Sequence, residues 1–393
     1  MPRIAFVYFD AGGGHRSAME SLLTVMQSQR RPWEISTLNL QEVLDQHDFV
    51  RKLTGLRFQD FYNRIISSGW TLGSPQGLWA LHGAIRVLHN RMVSTLADYW
   101  RRHPADVVVS VISNFNRELA ASVKLGLPGA KFVTVMTDIA DYAPRHIWIV
   151  RELEYLVCGS DRAAEQARSM GHSNGRVFRT SGMILNPRFY ENRTIDRGEE
   201  RQRLGLDPDC PTALVLFGGQ GSKDMLEIAR RLDHYPGALQ TIFICGHNQE
   251  MASKLRSMRT GKRRHIEGFT FEIPYLMRLA DFFIGKPGPG SISEALACAL
   301  PVIVVCNAWT LPQERYNAEW IRSNRYGVVL RSFADINRAV ADMLDLLVVY
   351  RRHVGQYCNC AVFEVVDILQ QIIGEPRLPA SGASDAAASP SSV

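Results

Sequence analysis

The sequence predicts an α/β protein built from two doubly wound domains that face each other across a cleft. Apolar, β-rich runs alternate with helical patterns, which is typical of parallel sheets covered by helices. The alternation begins at the N-terminus and begins again after Asp207–Pro211. The first predicted strand of each half leads into a glycine-rich turn, at Gly12–Gly14 and at Gly218–Gly221. Ligands of doubly wound domains bind at the loops that follow the strands, so we expect the functional residues there.

Six strands are predicted in each half from short apolar runs bounded by turn residues. The runs of the first half are Ile4–Phe9, Trp33–Leu38, Val107–Ile112, Phe132–Met136, Tyr155–Cys158 and Val177–Thr180. The runs of the second half are Thr212–Phe217, Thr241–Ile244, His265–Glu267, Phe282–Ile284, Val302–Val305 and Gly327–Leu330. The second set starts afresh, which predicts two similar halves.

The domain boundaries follow from these runs. We expect a first domain at residues 1–182, a linker at 183–209 and a second domain at 210–345. An apolar helical pattern at 346–375 follows the second sheet and is expected to cross back over the domain junction. Residues 376–393 are rich in alanine, serine and proline without periodicity, which predicts a disordered tail.

Composition indicates a soluble globular protein. Of the 393 residues 46% are hydrophobic and 21% charged, and the seven cysteines are scattered, as in a reducing compartment. There is no apolar run of about 18 residues and no secretory signal, so we expect a cytoplasmic protein. The net charge of +6 suits nucleic acid, anionic lipid or an anionic substrate. No nucleic-acid-binding motif accompanies it, so nucleic acid is not expected as a partner.

The most informative segment is the loop that begins at Lys286. The letters Lys-Pro-Gly-Pro-Gly-Ser-Ile-Ser-Glu lead from a predicted strand into a helix predicted at Ile292–Leu300. The start of a helix offers free N–H groups and a positive dipole end, which suit a diphosphate. Glu294, placed in the first turn, can accept hydrogen bonds from a ribose diol. The alternative is an ordinary glycine-rich turn with Ser291 or Ser293 as the helix cap.

His15 follows the first strand and its glycines, which places it at the mouth of the cleft. An imidazole titrates near neutral pH and can take a proton from a hydroxyl. The alternative is a histidine that packs or caps locally. Thr137-Asp138 ends another strand, and its carboxylate can orient a histidine or bind a hydroxyl, or simply cap the next turn.

Further candidate residues follow other strands. Gly218–Ser222 forms a second loop of phosphate size, and the loop of Glu267-Gly-Phe269 can meet a nucleobase. Pro312–Glu314, with Asn317, offers directional polar groups for a polyol. Each segment also has a purely structural alternative. The first would be a flexible turn, the second an apolar loop anchor and the third an ordinary helix start. Asp207-Pro-Asp209 resembles a metal-binding Asp-x-Asp in its letters alone, and the metal interpretation is rejected because the motif precedes a strand.

Residues 47–102 differ from the rest of the chain. They carry eight basic and three acidic residues among many large apolar and aromatic ones. Such a mixture suits the headgroup layer of an anionic membrane. Helices packed on the first domain, with their arginines facing water, explain it equally well.

In this order, the motifs at 12–16, 137–148, 218–221, 267–269, 286–294 and 312–317 resemble those of glycosyltransferase family 28. The similarity is to its monogalactosyldiacylglycerol synthase and processive diacylglycerol glucosyltransferase group, over roughly residues 3–345. The group is related to the enzyme that adds N-acetylglucosamine to the undecaprenyl-linked peptidoglycan precursor. The resemblance implies a GT-B fold of two Rossmann-like domains, the first binding a lipid acceptor at a membrane and the second a UDP-sugar. It also implies inversion at the anomeric carbon, with neither a cofactor nor an essential metal.

The resemblance assigns roles to single residues. His15 is expected to be the general base on the acceptor hydroxyl. Asp138 is expected to support the acceptor side, with the backbone of Gly13 and Gly14 beside the acceptor. The residues expected to bind the donor are Gly219, Gln220, Ser222, Phe269, Lys286, Gly288, Gly290, Ser291, Glu294, Gln313 and Glu314. Among these, Phe269 is expected to contact uracil, Glu294 the ribose, and Gln313 with Glu314 the sugar.

The sequence therefore predicts an inverting hexosyltransferase that acts on a lipid, diacylglycerol being favoured, at the inner face of the cell membrane. Two departures from the family pattern bear on specificity: Asp141–His146 is rearranged after Thr137-Asp138, and Pro312 replaces a glycine. The alternatives are a soluble epimerase of the UDP-N-acetylglucosamine 2-epimerase type, transfer to a polyprenyl-linked or other acceptor, and an inactive protein that binds a nucleotide sugar.

Overall fold

The structure is a computed structural model that describes residues 1–9, 14–46, 74–143, 146–191 and 194–375, without the side chains of 44–46 and 74–84. These residues form two six-stranded sheets, and every strand pair in both sheets is parallel. The predicted tail at 376–393 and the first part of the aromatic and basic stretch, 47–73, lie outside the described residues.

The first sheet has the strand order β2-β1-β3-β4-β5-β6. Its strands are β1 (Arg3–Tyr8), β2 (Glu34–Asn39), β3 (Val107–Ser110), β4 (Lys131–Val135), β5 (Tyr155–Cys158) and β6 (Val177–Arg179). Helices of this half are α1 (Gly14–Ser28), α2 (Leu40–Gln46), α3 (Ser74–Arg102), α4 (Asn116–Gly126) and α5 (Asp161–Ser169).

The second sheet has the strand order β12-β11-β10-β7-β8-β9. Its strands are β7 (Thr212–Leu216), β8 (Gln240–Ile244), β9 (Arg264–Glu267), β10 (Phe282–Gly285), β11 (Val302–Val305) and β12 (Gly327–Leu330). After α6 (Arg197–Arg203), which precedes this sheet, come α7 (Asp224–Asp233), α8 (Gln249–Ser257), α9 (Ile273–Leu279), α10 (Pro289–Ala297), α11 (Arg315–Ser323) and α12 (Ile336–Asp345). The last two helices are α13 (Leu347–Val354) and α14 (Ala361–Gly374).

All twelve predicted strands are present, and their ends differ from the predicted ends by at most two residues. The strands were recognisable because helices cover both faces of the inner ones, so nearly every residue in them must be apolar. In β3, β4, β5, β7, β8 and β10 every residue is buried.

The chain returns to the first half at its described end. The apolar face of α14, which includes Val366 and Leu369, packs against Leu22 of α1 and Phe6 of β1. Polar contacts fix the same helix: Glu364 accepts a hydrogen bond of 2.6 Å from the N–H of Ser181. The last helix therefore belongs to the core of the first half although its sequence follows the second.

A buried carboxylate fixes the linker to the second half. Asp281, just before β10, binds Arg197 at 2.9 Å and Arg201 at 2.8 Å, both from α6. It also binds Arg351 of α13 at 2.7 Å. One side chain thus joins the linker helix, a central strand and α13.

The helix after β10 starts earlier than the sequence predicted. It begins at Pro289, with Gly288 as its N-cap and no side-chain cap, so the predicted start at Ile292 and the alternative of a cap at Ser291 or Ser293 are both wrong. Glu294 consequently lies in the second turn, not the first. Proline at the first helical position explains the shift, because its fixed φ suits a helix start and its missing N–H costs nothing there.

In the part of the chain that the structure describes, no helix is both long enough and apolar enough to cross a membrane.

Candidate active site

The predicted site residues lie at the carboxyl edges of the two sheets, in the loops and helix starts that follow the strands. His15 is in the first turn of α1, just beyond β1, and Asp138 follows β4. From the second sheet, the loops after β7, β9, β10 and β11 carry the predicted donor-binding residues. This is the edge at which open α/β sheets bind ligands. The predicted Gly13 lies outside the described residues.

The imidazole of His15 is held by the first sheet. Its Nδ1 lies 2.8 Å from the carbonyl oxygen of Val111 and 3.1 Å from Oγ1 of Thr137. A carbonyl only accepts, so Nδ1 carries the proton and Nε2 keeps its lone pair. Burial lowers the pKa of His15 from 6.5 to about 4, and the hydrogen bond to Val111 opposes the shift. At neutral pH the imidazole is therefore uncharged, as a general base must be.

Trp148 lies beside both Asp138 and His15. The indole Nε1 of Trp148 donates to Oδ2 of Asp138 at 2.8 Å, and its ring lies 5.9 Å from that of His15. Burial raises the pKa of Asp138 to about 7, against the hydrogen bond from Trp148. Near neutral pH this carboxyl group is thus close to half ionised.

A second carboxylate organises the loop that carries Trp148. The side chain of Asp141 is fully buried and accepts N–H groups from Tyr142, Ile147, Trp148 and Ile149 at 2.8 to 3.1 Å. It also accepts Nδ1 of the half-buried His146 at 3.0 Å, and this bond raises the pKa of His146. The segment 141–149, rearranged relative to the family pattern, is thereby folded around one carboxylate.

The start of α10 has the features of an anion site. Its first residue, Pro289, has no N–H, so the free donors of the first turn belong to Gly290 and Ser291. A Cβ on Gly288 would lie 3.3 Å from Cε of Lys286 and 3.4 Å from Oγ of Ser291, so the loop is compact and a larger residue than glycine would crowd these side chains. A nine-residue helix adds its dipole to these donors.

Lys286 and Glu314 form an ion pair beside this helix start. Nζ of Lys286 lies 3.0 Å from Oε1 of Glu314, whose side chain is only 9% exposed. Lys286 is 42% exposed, so its ammonium group can turn toward a ligand. Both residues also act electrostatically on Asp138 of the first half: Glu314 raises its pKa and Lys286 lowers it. The two predicted halves of the site therefore face each other.

Glu294 has an unusual environment for a carboxylate. It is partly buried in the second turn of α10, and burial raises its pKa to about 7. Among the described residues no hydrogen bond or ion pair satisfies this side chain. A carboxylate with free acceptor sites beside an anion-binding helix start is suited to a ribose diol.

The glycine-rich loop after β7 turns sharply. Gly218 and Gly221 both have positive φ, at 74° and 64°, which side-chain-bearing residues rarely adopt. Gly219 and Gln220 are exposed at its tip. Ser222 is less available than predicted, because its Oγ accepts the N–H of Asp224 at 3.2 Å and donates to that carboxylate at 2.9 Å.

The polar turn after β11 sits against the loop before α10. Pro312–Glu314 forms a short 3₁₀ turn. The fully buried Asn317 donates from Nδ2 to the carbonyl of Pro287 at 2.8 Å, and so supports the Lys286 loop. Oε1 of Gln313 and Oδ1 of Asn317 are buried without a partner among the described residues. Oxygens of this kind can accept sugar hydroxyls.

Phe269 follows β9, and its ring stacks on that of His247 with centroids 4.1 Å apart. The sequence did not single out His247, and it marked Asp141 only as the start of the rearranged segment 141–146. The available signal for His247 was its position directly after a glycine at a strand end, the same pattern that singled out His15. Asp141 carried no local signal, because its partners are backbone groups of the following loop.

Comparison with known proteins agrees with this geometry. The glycosyltransferase family 28 C-terminal domain matches residues 212–347, which are the second half of the fold. A probable monogalactosyldiacylglycerol synthase 2 of Oryza sativa subsp. japonica is 29% identical over 366 residues. That alignment spans 84% of this chain and 71% of the rice protein.

Solved structures share the architecture at much lower identity. MurG of Acinetobacter baumannii superposes with a TM-score of 0.61 at 14% identity, over 94% of this chain and 100% of MurG. MnaA of S. aureus, determined with UDP, superposes with a TM-score of 0.59 at 15% identity, over 95% of this chain and 97% of MnaA. At these identities the likeness concerns the fold, and it confirms the predicted GT-B architecture.

The geometry, the domain match and the relatives point the same way: residues 212–347 match the glycosyltransferase family 28 C-terminal domain, and the chain as a whole is similar to the monogalactosyldiacylglycerol synthases.

Proposed function

We propose that this protein is an inverting hexosyltransferase that moves a hexose from a UDP-sugar to a hydroxyl group of a membrane lipid, most favourably diacylglycerol. The electrostatic interaction between residues of the two halves carries the proposal. The pKa of Asp138, which lies on the same half as the candidate base, is raised by Glu314 and lowered by Lys286, both from the other half. An acceptor hydroxyl near His15 therefore lies opposite the start of α10.

The transfer is a single displacement. Nε2 of His15 takes the proton of the acceptor hydroxyl while that oxygen forms a bond to the anomeric carbon. The bond from that carbon to the β-phosphate oxygen breaks on the opposite side, and UDP leaves with the bonding electrons. One displacement inverts the anomeric centre. The ionised Asp138 stabilises the positive charge that develops on His15 and on the sugar ring.

The departing diphosphate gains charge as the bond breaks. The N–H groups of Gly290 and Ser291, with the dipole of α10, stabilise that charge, and Lys286 adds a full positive charge beside them. Gly219, in the glycine-rich loop after β7, adds its backbone N–H group to the diphosphate site. These groups supply the positive field that a divalent cation provides in other transferases, so we propose that the reaction needs no metal.

The donor and acceptor classes rest on two kinds of support. A structure with the same fold holds UDP, and the unpaired Glu294 lies where a ribose would follow the diphosphate. The rice relative is named for monogalactosyldiacylglycerol synthesis, a reaction with a lipid acceptor. The identity of the hexose depends on the turn that contains Gln313 and Glu314.

We place the protein on the inner face of the cell membrane, held by the stretch 47–102. Of this stretch the structure describes α3. Arg86 and Val87 on this helix are exposed, and the exposed fraction of Val87 is 82%. Flotation with anionic vesicles tests this placement. Recovery of the protein with vesicles at low salt supports it, and failure to float with anionic lipid contradicts it.

The function is tested by product analysis. Purified protein is incubated with UDP-glucose, UDP-galactose or UDP-N-acetylglucosamine and a membrane lipid extract, and the products are identified by mass spectrometry. We expect one sugar to appear on diacylglycerol, with the opposite anomeric configuration to the donor. A sugar found on a polyprenyl-linked lipid would mean that this lipid, and not diacylglycerol, is the acceptor. Epimerised UDP-sugar without any glycolipid would overturn the proposal in favour of an epimerase.

The assignment of His15 as the general base is tested by a substitution at that residue. His15→Gln should lower kcat about 10²- to 10⁴-fold, the usual contribution of a general base, with KM for the donor little changed. His103→Gln is the matched control, since that histidine is exposed on the same half and bonds only to its own helix. An unchanged rate in His15→Gln would mean another base, or an inactive binding protein if wild type is equally slow.

A further inference from the structure

Three aromatic side chains form an exposed group at the carboxyl ends of β8 and β9. The rings of His247 and Phe269 are nearly parallel, with centroids 4.1 Å apart and an interplanar angle of 18°. Phe271 meets Phe269 edge-on at 5.1 Å. Phe269 is 49% exposed and Phe271 73%, and His247 is exposed as well. Rings fixed in this way present a flat surface on which a planar heterocycle can stack.

The strand order shows which ring faces the nucleotide. The sheet runs β10-β7-β8-β9, and the proposed diphosphate site lies at the loop after β7 and the helix start after β10. His247 follows β8, so it stands between that site and Phe269, which follows β9. A nucleotide that extends from its diphosphate along this edge meets the ring of His247 first. One face of Phe269 is already covered by that ring.

The backbone fixes His247 relative to the diphosphate loop. Its N–H donates to the carbonyl of Gly219 at 2.8 Å, and Nδ2 of Asn248 donates to the carbonyl of Gln220 at 3.2 Å. Gly246 has a φ of +58°, and a Cβ there would lie 2.2 Å from the carbonyl oxygen of Gly219. The two loops therefore touch through main chain, and the imidazole is held at a set distance from the glycine turn.

We propose that the nucleobase of the sugar nucleotide stacks on the imidazole of His247, and that Phe269 supports this ring from behind. The proposal rests on the UDP-sugar function proposed above. It replaces the expectation that Phe269 itself contacts uracil. Stacking tolerates any base, so His247 contributes affinity, while hydrogen bonds to the base edge select uracil.

Calorimetry with UDP tests the assignment, together with the inhibition constant of inorganic pyrophosphate, a probe without a base. His247→Ala should weaken UDP binding about tenfold, since stacking on an aromatic ring contributes that much or more. His247→Phe keeps the stack and should stay within about threefold of wild type. In turnover His247→Ala should raise KM for the donor and leave kcat nearly unchanged. Inhibition by pyrophosphate should be the same in all variants.

His234→Ala is the matched control, because His234 is an exposed histidine of the same half at the far end of α7. Wild-type affinity for UDP in His247→Ala, with a loss in Phe269→Ala, would overturn the assignment and leave the transferase intact. Equal losses for UDP and pyrophosphate would also overturn it, since they would indicate a displaced loop. Absence of UDP binding by the wild-type protein would instead refute the proposed function.

Discussion

The two titratable groups of the candidate acceptor site are shifted in opposite directions by the same cause. Burial disfavours the charged form of each, so the pKa of His15 falls to about 4 and that of Asp138 rises to about 7. His15 is thereby neutral throughout the physiological range, and only Asp138 changes charge near pH 7. The pH dependence of the acceptor side should therefore report the carboxyl group of Asp138. Burial also raises the pKa of Glu294 on the donor side to about 7, and the variant Asp138→Asn separates the two.

We expect kcat/KM to fall below about pH 7 as Asp138 takes up a proton, because the protonated acid no longer stabilises a cationic His15. Asp138→Asn should be slow at every pH and should lose this acidic limb. Rate profiles of both proteins between about pH 5.5 and 9, a range that brackets this pKa, measure the acidic limb and its loss. An acidic limb retained in Asp138→Asn would assign the titration to another group.

The same substitution should stabilise the folded protein at alkaline pH. A raised pKa favours folding below the unfolded value of 3.8, and that contribution is lost as the pH rises through about 7. Above pH 7 the wild type carries a poorly solvated carboxylate, which asparagine removes while it still accepts the bond from Trp148. The melting temperature of Asp138→Asn should exceed that of wild type at pH 8 and match it near pH 4. Equal melting temperatures at both pH values would contradict the burial argument.

At the scale of elements, the site is made by turns that only glycine permits. Gly246→Ala would place its Cβ against the backbone of Gly219 in a positive-φ position, so the two loops must separate. We expect UDP affinity to fall at least about tenfold and stability to fall by about 1–3 kcal/mol. Gly261→Ala is the control, because among the described residues no atom beyond its chain neighbours lies within 4 Å of a Cβ placed there. Unchanged UDP binding in Gly246→Ala would show that these loops do not hold the nucleotide.

The start of α10 leads to a prediction about metals. Activity should persist in excess chelator, because the helix start and Lys286 carry the positive field. Lys286→Gln should lower kcat by about 10²-fold, the usual cost of losing one charge-stabilising donor. Lys254→Gln, an exposed lysine paired on its own helix, serves as control. Full loss of activity with chelator, restored by magnesium, would contradict this assignment.

The elements were predictable from sequence where the physics is local. β7 and β10 are continuous apolar runs because both faces of the sheet are covered, and a glycine-rich turn marks the end of β7. The start of α10 differs from the prediction because proline at the first helical position, and no serine cap, begins this helix. The roles of Asp141 and His247 depend on which loops meet in space, and no spacing along the chain contains that information.

At the scale of the molecule, the last described helix completes the first half. Leu369 of α14 is fully buried against the first sheet, so Leu369→Ala should destabilise the protein by about 2–5 kcal/mol. Gln370→Ala, one position on and exposed, should change stability by less than about 0.5 kcal/mol. Chemical unfolding followed by tryptophan fluorescence measures both. Equal stabilities would mean that α14 is not part of that core.

This return of the chain links the two halves, as does the linker that Asp281 holds to the second half. In the proposed function, the cleft between them joins the candidate base of the first half to the start of α10 in the second. Fold and motif positions were therefore accessible from sequence, whereas the meeting of Asp138 with Lys286 and Glu314 required the structure.

Isothermal titration of the wild-type protein with UDP tests the central claim most directly, namely that the two halves enclose a sugar nucleotide. We predict one site per chain, with a dissociation constant between about 1 μM and 1 mM, the usual range for enzyme substrates. Binding should weaken in Gly246→Ala and stay unchanged in Gly261→Ala. No heat of binding at UDP concentrations of several millimolar, on the order of ten times the weakest expected constant, would contradict the account.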